Sequence, residues 1–261
     1  MFLIDSHCHL NKIHNNKSQN KILKTLKEAY KKKIKMILSV ATSIKDFQDM
    51  QILYKNIPYN ILYSCGIHPL YCCKKKNSYK KLKKLSQHKK VIAIGETGLD
   101  YFYKKEESNL QIKSLYQHIS ISKSLEKPLI IHSRNSGKDI LKILKSEKKG
   151  FLKGIFHSFN DNYEIAKKIL DLGFYISISG MITFKNSIQL RSVLKKIPLN
   201  RLLLETDSPY LTPVPHRGKK NKPSYIEYIA KCVSDIKKVS LEKLIYITKK
   251  NFFKLFKLKK I

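Results

Sequence analysis

Eight short apolar runs rich in β-branched residues recur along the chain, and longer amphipathic segments separate them. This alternation is typical of repeated strand–helix units, because neighbouring parallel strands need a crossover that is usually a helix. The predicted strands span residues 2–5, 35–41, 60–65, 91–95, 129–132, 154–157, 174–178 and 202–205. Eight such units predict an α/β fold, the closed (β/α)₈ barrel of the TIM type.

The segments between these runs have the apolar periodicity of helices. They predict helices over residues 18–32, 79–87, 109–125, 137–145, 163–172 and 187–196. After the eighth strand, Pro223 is placed to open a helix, and Ser240 is placed to cap a last one. The 261 residues are about the length of one barrel, and no Pro/Gly-rich linker divides them. We therefore expect a single domain over residues 1–261.

Positive charge dominates the composition, with 53 Lys and Arg against 19 Asp and Glu and a net charge of +34. Such a field attracts nucleic acid or an anionic membrane at low salt. Only four of the cations are arginines, and lysine runs such as residues 74–76 are spread along the chain. High Ile, Asn and Tyr also fit a genome drifted toward A and T. The charge is compatible with a nucleic-acid substrate but does not demonstrate one.

The N-terminal residues lack the basic and apolar regions of a signal peptide, and nowhere do 18 apolar residues run together. We therefore expect a cytoplasmic protein with no membrane association.

Five cysteines at irregular spacing fit reduced thiols better than a disulfide framework, and the adjacent pair Cys72 and Cys73 is interpreted as incidental. Nothing in the sequence implies a stable protein partner.

Polar side chains follow the predicted strands at the end of the barrel where this fold places catalytic groups. His7 and His9, two residues apart after the first strand, project from one face and form a natural metal-binding pair. The third, fourth, fifth, sixth and eighth strands run into His68, Glu96, His132, His157 and Asp207. Each of these residues alone could be structural, as a turn cap or a core histidine. Taken together, a structural explanation needs six coincidences at one face, whereas His14, His88 and His118 are predicted to lie on helices.

Six sequence runs carry a family resemblance. They read DSHCHL at 5–10, GIHP at 66–69, GETGLD at 95–100, IHSR at 131–134, LLETDSPYLTP at 203–213 and HRGKKNKP at 216–223. Together they resemble the TatD-type metal-dependent deoxyribonucleases, a family of the amidohydrolase-like barrels. The runs span nearly the whole chain in the right order, which is more specific than any single motif.

The resemblance implies a two-metal hydrolase. His7, His9, Glu96 and Asp207 would hold one divalent ion. Glu96 would bridge to a second ion, held also by His132 and His157. Imidazole and carboxylate ligands suit Zn²⁺, Mn²⁺ or Fe²⁺, whereas Mg²⁺ prefers more oxygen ligands and bound water. This preference does not settle the identity of the metal, and the prediction is two divalent ions, each Zn²⁺, Mg²⁺ or Mn²⁺. The family usually reads FHCFSG around the sixth-strand histidine, whereas residues 156–161 read FHSFND, which changes the local loop.

Two catalytic residues are predicted, Asp207 and Glu96. Asp207 would bind metal and take the proton of the attacking water, and Glu205 would lie deeper on the same face. A phosphodiester substrate also needs donors for its oxygens, and His68, Arg134 and Arg217 are predicted to bind its phosphate. Arginine is informative in so lysine-rich a chain because its planar fork grips phosphate in a bidentate way. For Arg217, a solvated surface charge is the alternative.

Three functions follow as hypotheses. The first is an exonuclease-like deoxyribonuclease that cleaves DNA, preferentially single strands, with metal-activated water. The second is a metal-dependent esterase, lactonase or amidase, for example one acting on aminoacyl-RNA esters. Many relatives of that kind carry a carboxylated lysine at the end of strand four, where this chain has Glu96, which favours the nuclease. The third, a binding protein without catalysis, predicts lost ligands, yet all six ligand positions are filled.

Overall fold

The computed structural model describes residues 1–14, 18–72 and 78–259, so Cys73 and the lysine run 74–76 lie outside the described residues. Within these ranges, eight strands form one parallel sheet in chain order. The strands are β1 Leu3–Cys8, β2 Ile34–Val40, β3 Ile61–Cys65, β4 Val91–Asp100, β5 Leu129–Arg134, β6 Gly154–Phe156, β7 Tyr175–Ile178 and β8 Leu202–Leu204. The structure confirms the predicted TIM-type α/β barrel.

The barrel closes where the last strand meets the first. Past the end of β8, the backbone N–H of Asp207 donates to the carbonyl of His7 at 2.9 Å, and the N–H of His9 donates to the carbonyl of Ser208 at 2.7 Å. These two bonds extend the pairing beyond β8 itself. The seam therefore joins the ends of the first and last strands at the carboxyl-terminal end of the barrel.

Helices surround the sheet. Within the described ranges they are α1 Gln19–Lys31, α2 Ile44–Leu53, α3 Ser78–Ser86, α4 Ser108–Leu125, α5 Gly137–Ser146, α6 Tyr163–Asp171, α7 Ile188–Lys196, α8 Ile226–Lys237 and α9 Leu241–Leu255. The sequence analysis did not single out α2, which begins after Ser43, whose side chain accepts from the N–H of Asp46. Pro223 opens a 3₁₀ turn just before α8. None of these helices is long and apolar enough to cross a membrane.

Two apolar layers stabilise the fold. The inner layer fills the barrel with side chains such as Ile4, Leu38 and Ile130, and α9 packs Phe252 against it. The side chain of Asn251 donates to the carbonyl of Leu202 at 2.9 Å, which places α9 at the start of β8. The outer layer lies between the sheet and the remaining helices. Since α9 covers the amino-terminal end of the barrel, the opposite end is left for polar side chains.

β4 is longer than predicted and runs five residues past Gly95. Gly98, at φ +143°, lies so close to β5 that a Cβ there would clash with the carbonyl oxygen of His132. Glycine therefore lets β4 continue alongside β5 where a side chain would force the strands apart. As a result, Glu96 and Asp100 both lie beside His132.

Candidate metal centre

The six predicted metal ligands converge at the carboxyl-terminal end of the barrel. His7 lies in β1, Glu96 in β4 and His132 in β5, and the other three follow β1, β6 and β8. Five of the six are buried: His7, His9, Glu96, His157 and Asp207. All of the six except His7 line an open cleft of about 580 Å³. The barrel therefore gathers residues that are up to 200 positions apart in the sequence, as their place at the strand ends predicts.

The first group of donor atoms spans the seam between β1 and β8. His7 Nε2 and His9 Nε2 lie 3.4 Å apart. Each nitrogen lies 3.5–3.6 Å from Glu96 Oε2, and each lies 3.6 Å from Asp207 Oδ1. Tetrahedral ligands about 2.1 Å from a shared Zn²⁺ ion lie about 3.4 Å from one another. The donors are therefore spaced as ligands of one cation.

The second group surrounds the other oxygen of Glu96. Oε1 lies 2.8 Å from His157 Nε2, 3.1 Å from His132 Nδ1 and 3.3 Å from His68 Nε2. The nitrogens of His132 and His157 are themselves 3.2 Å apart. One carboxylate thus faces two clusters of donors, which is the arrangement that a bridging ligand needs.

Unsatisfied atoms test whether a cation fits. Glu96 Oε2 and Asp207 Oδ1 are buried and accept no hydrogen bond from any described residue. A buried carboxylate oxygen without a partner is costly, and a bound cation is one of the few groups that can satisfy it. The mixed imidazole and carboxylate donors are those that divalent ions such as Zn²⁺ and Mn²⁺ take. The residues present therefore fit a divalent metal.

The pKa shifts of the first donor group agree with a bound cation. Burial lowers the pKa of His7 and lowers that of His9 well below the ordinary value, so both imidazoles are neutral, the form that binds metal. Burial opposes ionisation of Glu96, but the nearby imidazoles of His157 and His68 hold its pKa well below the usual range. Burial raises the pKa of Asp207 well above its ordinary value. A cation bound beside Asp207 would offset the free-energy cost of burying its negative charge.

Three outer acceptors orient the imidazoles. His9 Nδ1 lies 2.9 Å from the carbonyl of Val40, His157 Nδ1 lies 3.3 Å from Glu205 Oε1, and His132 Nε2 lies 2.9 Å from Asp100 Oδ2. In each case the other ring nitrogen faces the centre, as outer partners of metal-bound histidines do. The sequence analysis placed Glu205 behind the site but assigned nothing to Asp100. The sequence analysis ended this strand at residue 95, so the place of Asp100 beside His132 follows only from the greater length of β4.

The three predicted phosphate-binding residues are placed differently. His68 lies within the second donor group, with its ring 4.5 Å from that of His132. Arg134 is exposed and lines the cleft. Arg217 is also exposed, but it stacks on Phe184 at 3.9 Å and is absent from the cleft lining. The structure therefore brings two of the three, His68 and Arg134, to the cleft.

Two further features of the cleft come from the structure. Lys12 lines it and donates from Nζ to Thr42 Oγ1 at 2.7 Å. This cation lies three residues after the histidine pair, but nothing local in the sequence distinguishes it from other lysines.

The loop that departs from the family pattern also reaches the cleft, through Ser158 and Asn160. Ser158 Oγ lies 2.9 Å from Ser179 Oγ, which ties this loop to the segment after β7.

Comparison with known proteins covers nearly the whole chain. A sequence model of the family described as TatD related DNase matches residues 4–257. A metal-dependent hydrolase of Buchnera aphidicola subsp. Acyrthosiphon pisum is 48% identical over 264 residues, covering 98% of this chain and 99% of that protein. The metal-dependent hydrolase YcfH of Escherichia coli K12 is 42% identical over 258 residues, covering 98% and 96%. The crystal structure of YjjV, a TatD homolog from Escherichia coli K12, superposes with a TM-score of 0.90 at 25% identity over 98% of each chain.

Proposed function

The chain belongs to the TatD-related DNase family of metal-dependent hydrolases, and on that premise we propose that it is an exonuclease-like deoxyribonuclease. Its substrate would be DNA, preferentially single-stranded, and its reaction hydrolysis of a phosphodiester bond. The observation that supports this most is the Glu96 carboxylate, whose two oxygens face two separate clusters of donors. A pair of cations held by one bridging carboxylate suits in-line displacement at phosphorus.

We infer that the two clusters hold two divalent ions, Zn²⁺, Mg²⁺ or Mn²⁺. His7, His9 and Asp207 would bind the first, and His132 and His157 the second. Glu96 would contact both. When bound, the ions would activate water and neutralise charge on the phosphate oxygens. Glu205 and Asp100 would keep the ligand rings oriented.

Asp207 and Glu96 are the proposed catalytic residues. Asp207 lines the cleft, so its carboxylate is placed to accept the proton of the attacking water. Glu96, whose pKa is lowered, stays ionised and fixes the positions of the donors around it.

Cationic and donor groups at the cleft support a phosphate substrate. His68 Nε2 reaches the centre, and the guanidinium of Arg134 lies at the edge of the cleft. Both are proposed to bind non-bridging phosphate oxygens of the scissile group. Arg217 lies outside the lining, so its predicted role would apply to a phosphate farther along the strand.

Activity assays on metal-loaded protein test the proposal. The purified chain is assayed with Mg²⁺, Mn²⁺ or Zn²⁺ on single-stranded DNA, duplex DNA, RNA, aminoacyl-RNA and small esters, and its bound metal is measured by elemental analysis. We expect cleavage of single-stranded DNA that chelator abolishes and added metal restores. Efficient hydrolysis of esters, lactones or aminoacyl-RNA with single-stranded DNA left intact would replace the nuclease by the esterase. Full activity in excess chelator would exclude the metal mechanism.

A further inference from the structure

Exposed aromatic side chains are concentrated around the cleft. Among the described residues, six aromatic side chains are strongly exposed, and four of them lie at or beside its mouth. These four are Tyr71, Phe102, Tyr103 and Tyr210, which are 52–58% exposed. The remaining two, Tyr116 and Tyr246, lie on α4 and α9. Single exposed rings are ordinary on a protein surface, but a cluster beside a polar cleft indicates a binding surface.

Two of these rings form a defined unit with an arginine. The rings of Phe102 and Tyr103 meet edge to face, with centroids 4.8 Å apart and planes at 89°. The guanidinium carbon of Arg134 lies 4.2 Å from the centre of Phe102 and 4.6 Å from that of Tyr103. We call these three residues the aromatic platform. Arg134 packs on both rings, yet more than half of each aromatic residue stays open to solvent.

A single carboxylate ties the aromatic platform to the metal centre. Asp100 Oδ1 accepts hydrogen bonds from the backbone N–H groups of Phe102 and Tyr103 at 3.1 and 3.0 Å. Its other oxygen contacts His132. The platform is therefore held at a fixed distance from the centre before any substrate arrives, which lowers the ordering cost of binding.

The cleft is also lined by two further aromatic rings, those of Tyr71 and Tyr210. Tyr210 contacts His9 edge to face at 5.9 Å, and Lys12 Nζ lies 5.9 Å from the ring of Tyr71. Aromatic faces interleaved with cations along a cleft are the features that bind single-stranded nucleic acid. Within a duplex, both faces of every internal base are covered by stacked neighbours, so only a terminal base pair exposes a face.

We propose that Tyr103, backed by Phe102 and Arg134, stacks on the unpaired base next to the scissile phosphate. The inference rests on the proposed nuclease function and adds to it the residue that selects an unpaired, base-bearing end. Stacking uses the face of the base rather than its edge, so this contact selects for the presence of a base and not for its identity. Base–aromatic stacking contributes about 1–3 kcal/mol per base.

Paired substrates and variants test the stack. One single-stranded oligonucleotide carries normal nucleotides throughout, and its match carries abasic residues at both ends. KM and kcat are measured on both for the wild type, Tyr103→Leu, Tyr103→Phe and Phe102→Leu. The control is Tyr246→Leu, which removes an equally exposed tyrosine from α9. Metal content and thermal unfolding are compared for all proteins.

We expect the wild type to have a KM about tenfold higher for the abasic oligonucleotide, the factor that corresponds to about 1.4 kcal/mol of stacking. Tyr103→Leu raises KM on the normal oligonucleotide by a similar factor and no longer distinguishes the two substrates. Tyr103→Phe keeps the preference, Phe102→Leu weakens it and Tyr246→Leu leaves it unchanged.

Two outcomes overturn the inference while the nuclease proposal stands. In the first, the wild type cuts both oligonucleotides with equal KM. In the second, Tyr103→Leu keeps the full preference for the normal one. The wild-type comparison and Phe102→Leu remain decisive should Tyr103→Leu fail to fold. If no protein cuts or binds either oligonucleotide, the proposed function falls together with the inference.

Discussion

Asp100 Oδ2 lies 2.9 Å from Nε2 of His132, on the side of the imidazole that faces away from His157. A carboxylate in this position fixes the tautomer and the orientation of a metal-binding histidine. We therefore predict that Asp100→Asn weakens metal binding about 10- to 100-fold. The affinity is measured by titrating the protein with Zn²⁺ or Mn²⁺ against a competing chelator.

The matched control for this variant is Asp139→Asn. Asp139 is exposed and accepts a hydrogen bond from the hydroxyl of Tyr101 on the neighbouring loop. The Asp139→Asn variant loses the same single negative charge near the same end of the barrel. Asp139, however, does not contact a predicted metal ligand. Equal metal affinities for the two variants would contradict an orienting role for Asp100.

Removing a proposed ligand should abolish activity and leave the barrel folded. His7→Ala, Glu96→Ala and Asp207→Ala are each expected to lower nuclease activity by orders of magnitude. Side chains at the carboxyl-terminal end of this fold serve chemistry, whereas the packed interior provides stability. Steady-state kinetics and thermal unfolding by circular dichroism measure both effects. Glu106→Ala, a change at an exposed carboxylate, is the control, and near-normal turnover in Glu96→Ala would refute the bridging role.

The positive charges should separate into two classes. Arg134→Ala is expected to lower turnover even at saturating DNA, because its guanidinium lies at the cleft. Lys138→Ala removes the same charge from an exposed position in α5, outside the cleft lining. That variant should weaken DNA binding modestly and chiefly at low salt. Kinetics over a range of salt concentrations distinguish the two, and equal losses of kcat would show that Arg134 has no special role.

His118 should contribute to the dependence of stability on pH. The N–H of Ile67 donates to His118 Nε2 at 2.9 Å, and His118 Nδ1 donates to the carbonyl of Ser114 at 2.7 Å. Burial lowers the pKa of this imidazole from 6.5 to about 4. Between these values the unfolded chain binds the extra proton, so stability rises with pH across the window and is lost as pH falls from 6.5 to 4.

This loss amounts to about 3 kcal/mol for His118 alone. Denaturant unfolding of the wild type and of His118→Gln at several pH values measures it. The free energy of unfolding of the variant should fall less steeply with acid over this window. Parallel curves for the two proteins would show that His118 is not the group responsible.

Strand order was enough to predict where the centre forms. Side chains that follow parallel strands meet at one end of a barrel, so His132 and Asp207 could be assigned to the same site from the sequence. The contact of Asp100 with His132 depends on how far β4 runs beside β5. That length follows from the close approach at Gly98, which has no local signal. For Arg217 the sequence is less informative, because the segment after β8 has no helical or strand periodicity that would fix its direction.

Helix α2 shows a different limit of sequence interpretation. Its ten residues begin with a side-chain cap at Ser43, which is a recognisable signal. The helix is short, and only Phe47, Met50 and Leu53 are buried along it. Three buried apolar positions give only a weak helical periodicity in the sequence, so this segment is difficult to recognise as a helix. The packing of α2 against the barrel, rather than its own propensity, is what stabilises it.

The seam between β1 and β8 has a consequence for protein synthesis. His7 and His9 leave the ribosome about 200 residues before Asp207. A nascent chain that ends before β8 therefore has two imidazoles of the first donor group but lacks its seam carboxylate. Such a long separation between contacting segments also slows folding, because a large loop must close before the contact forms. Hydrolytic competence is therefore expected only after β8 has been synthesised, and products of this chain truncated before β8 are expected to be inert toward DNA.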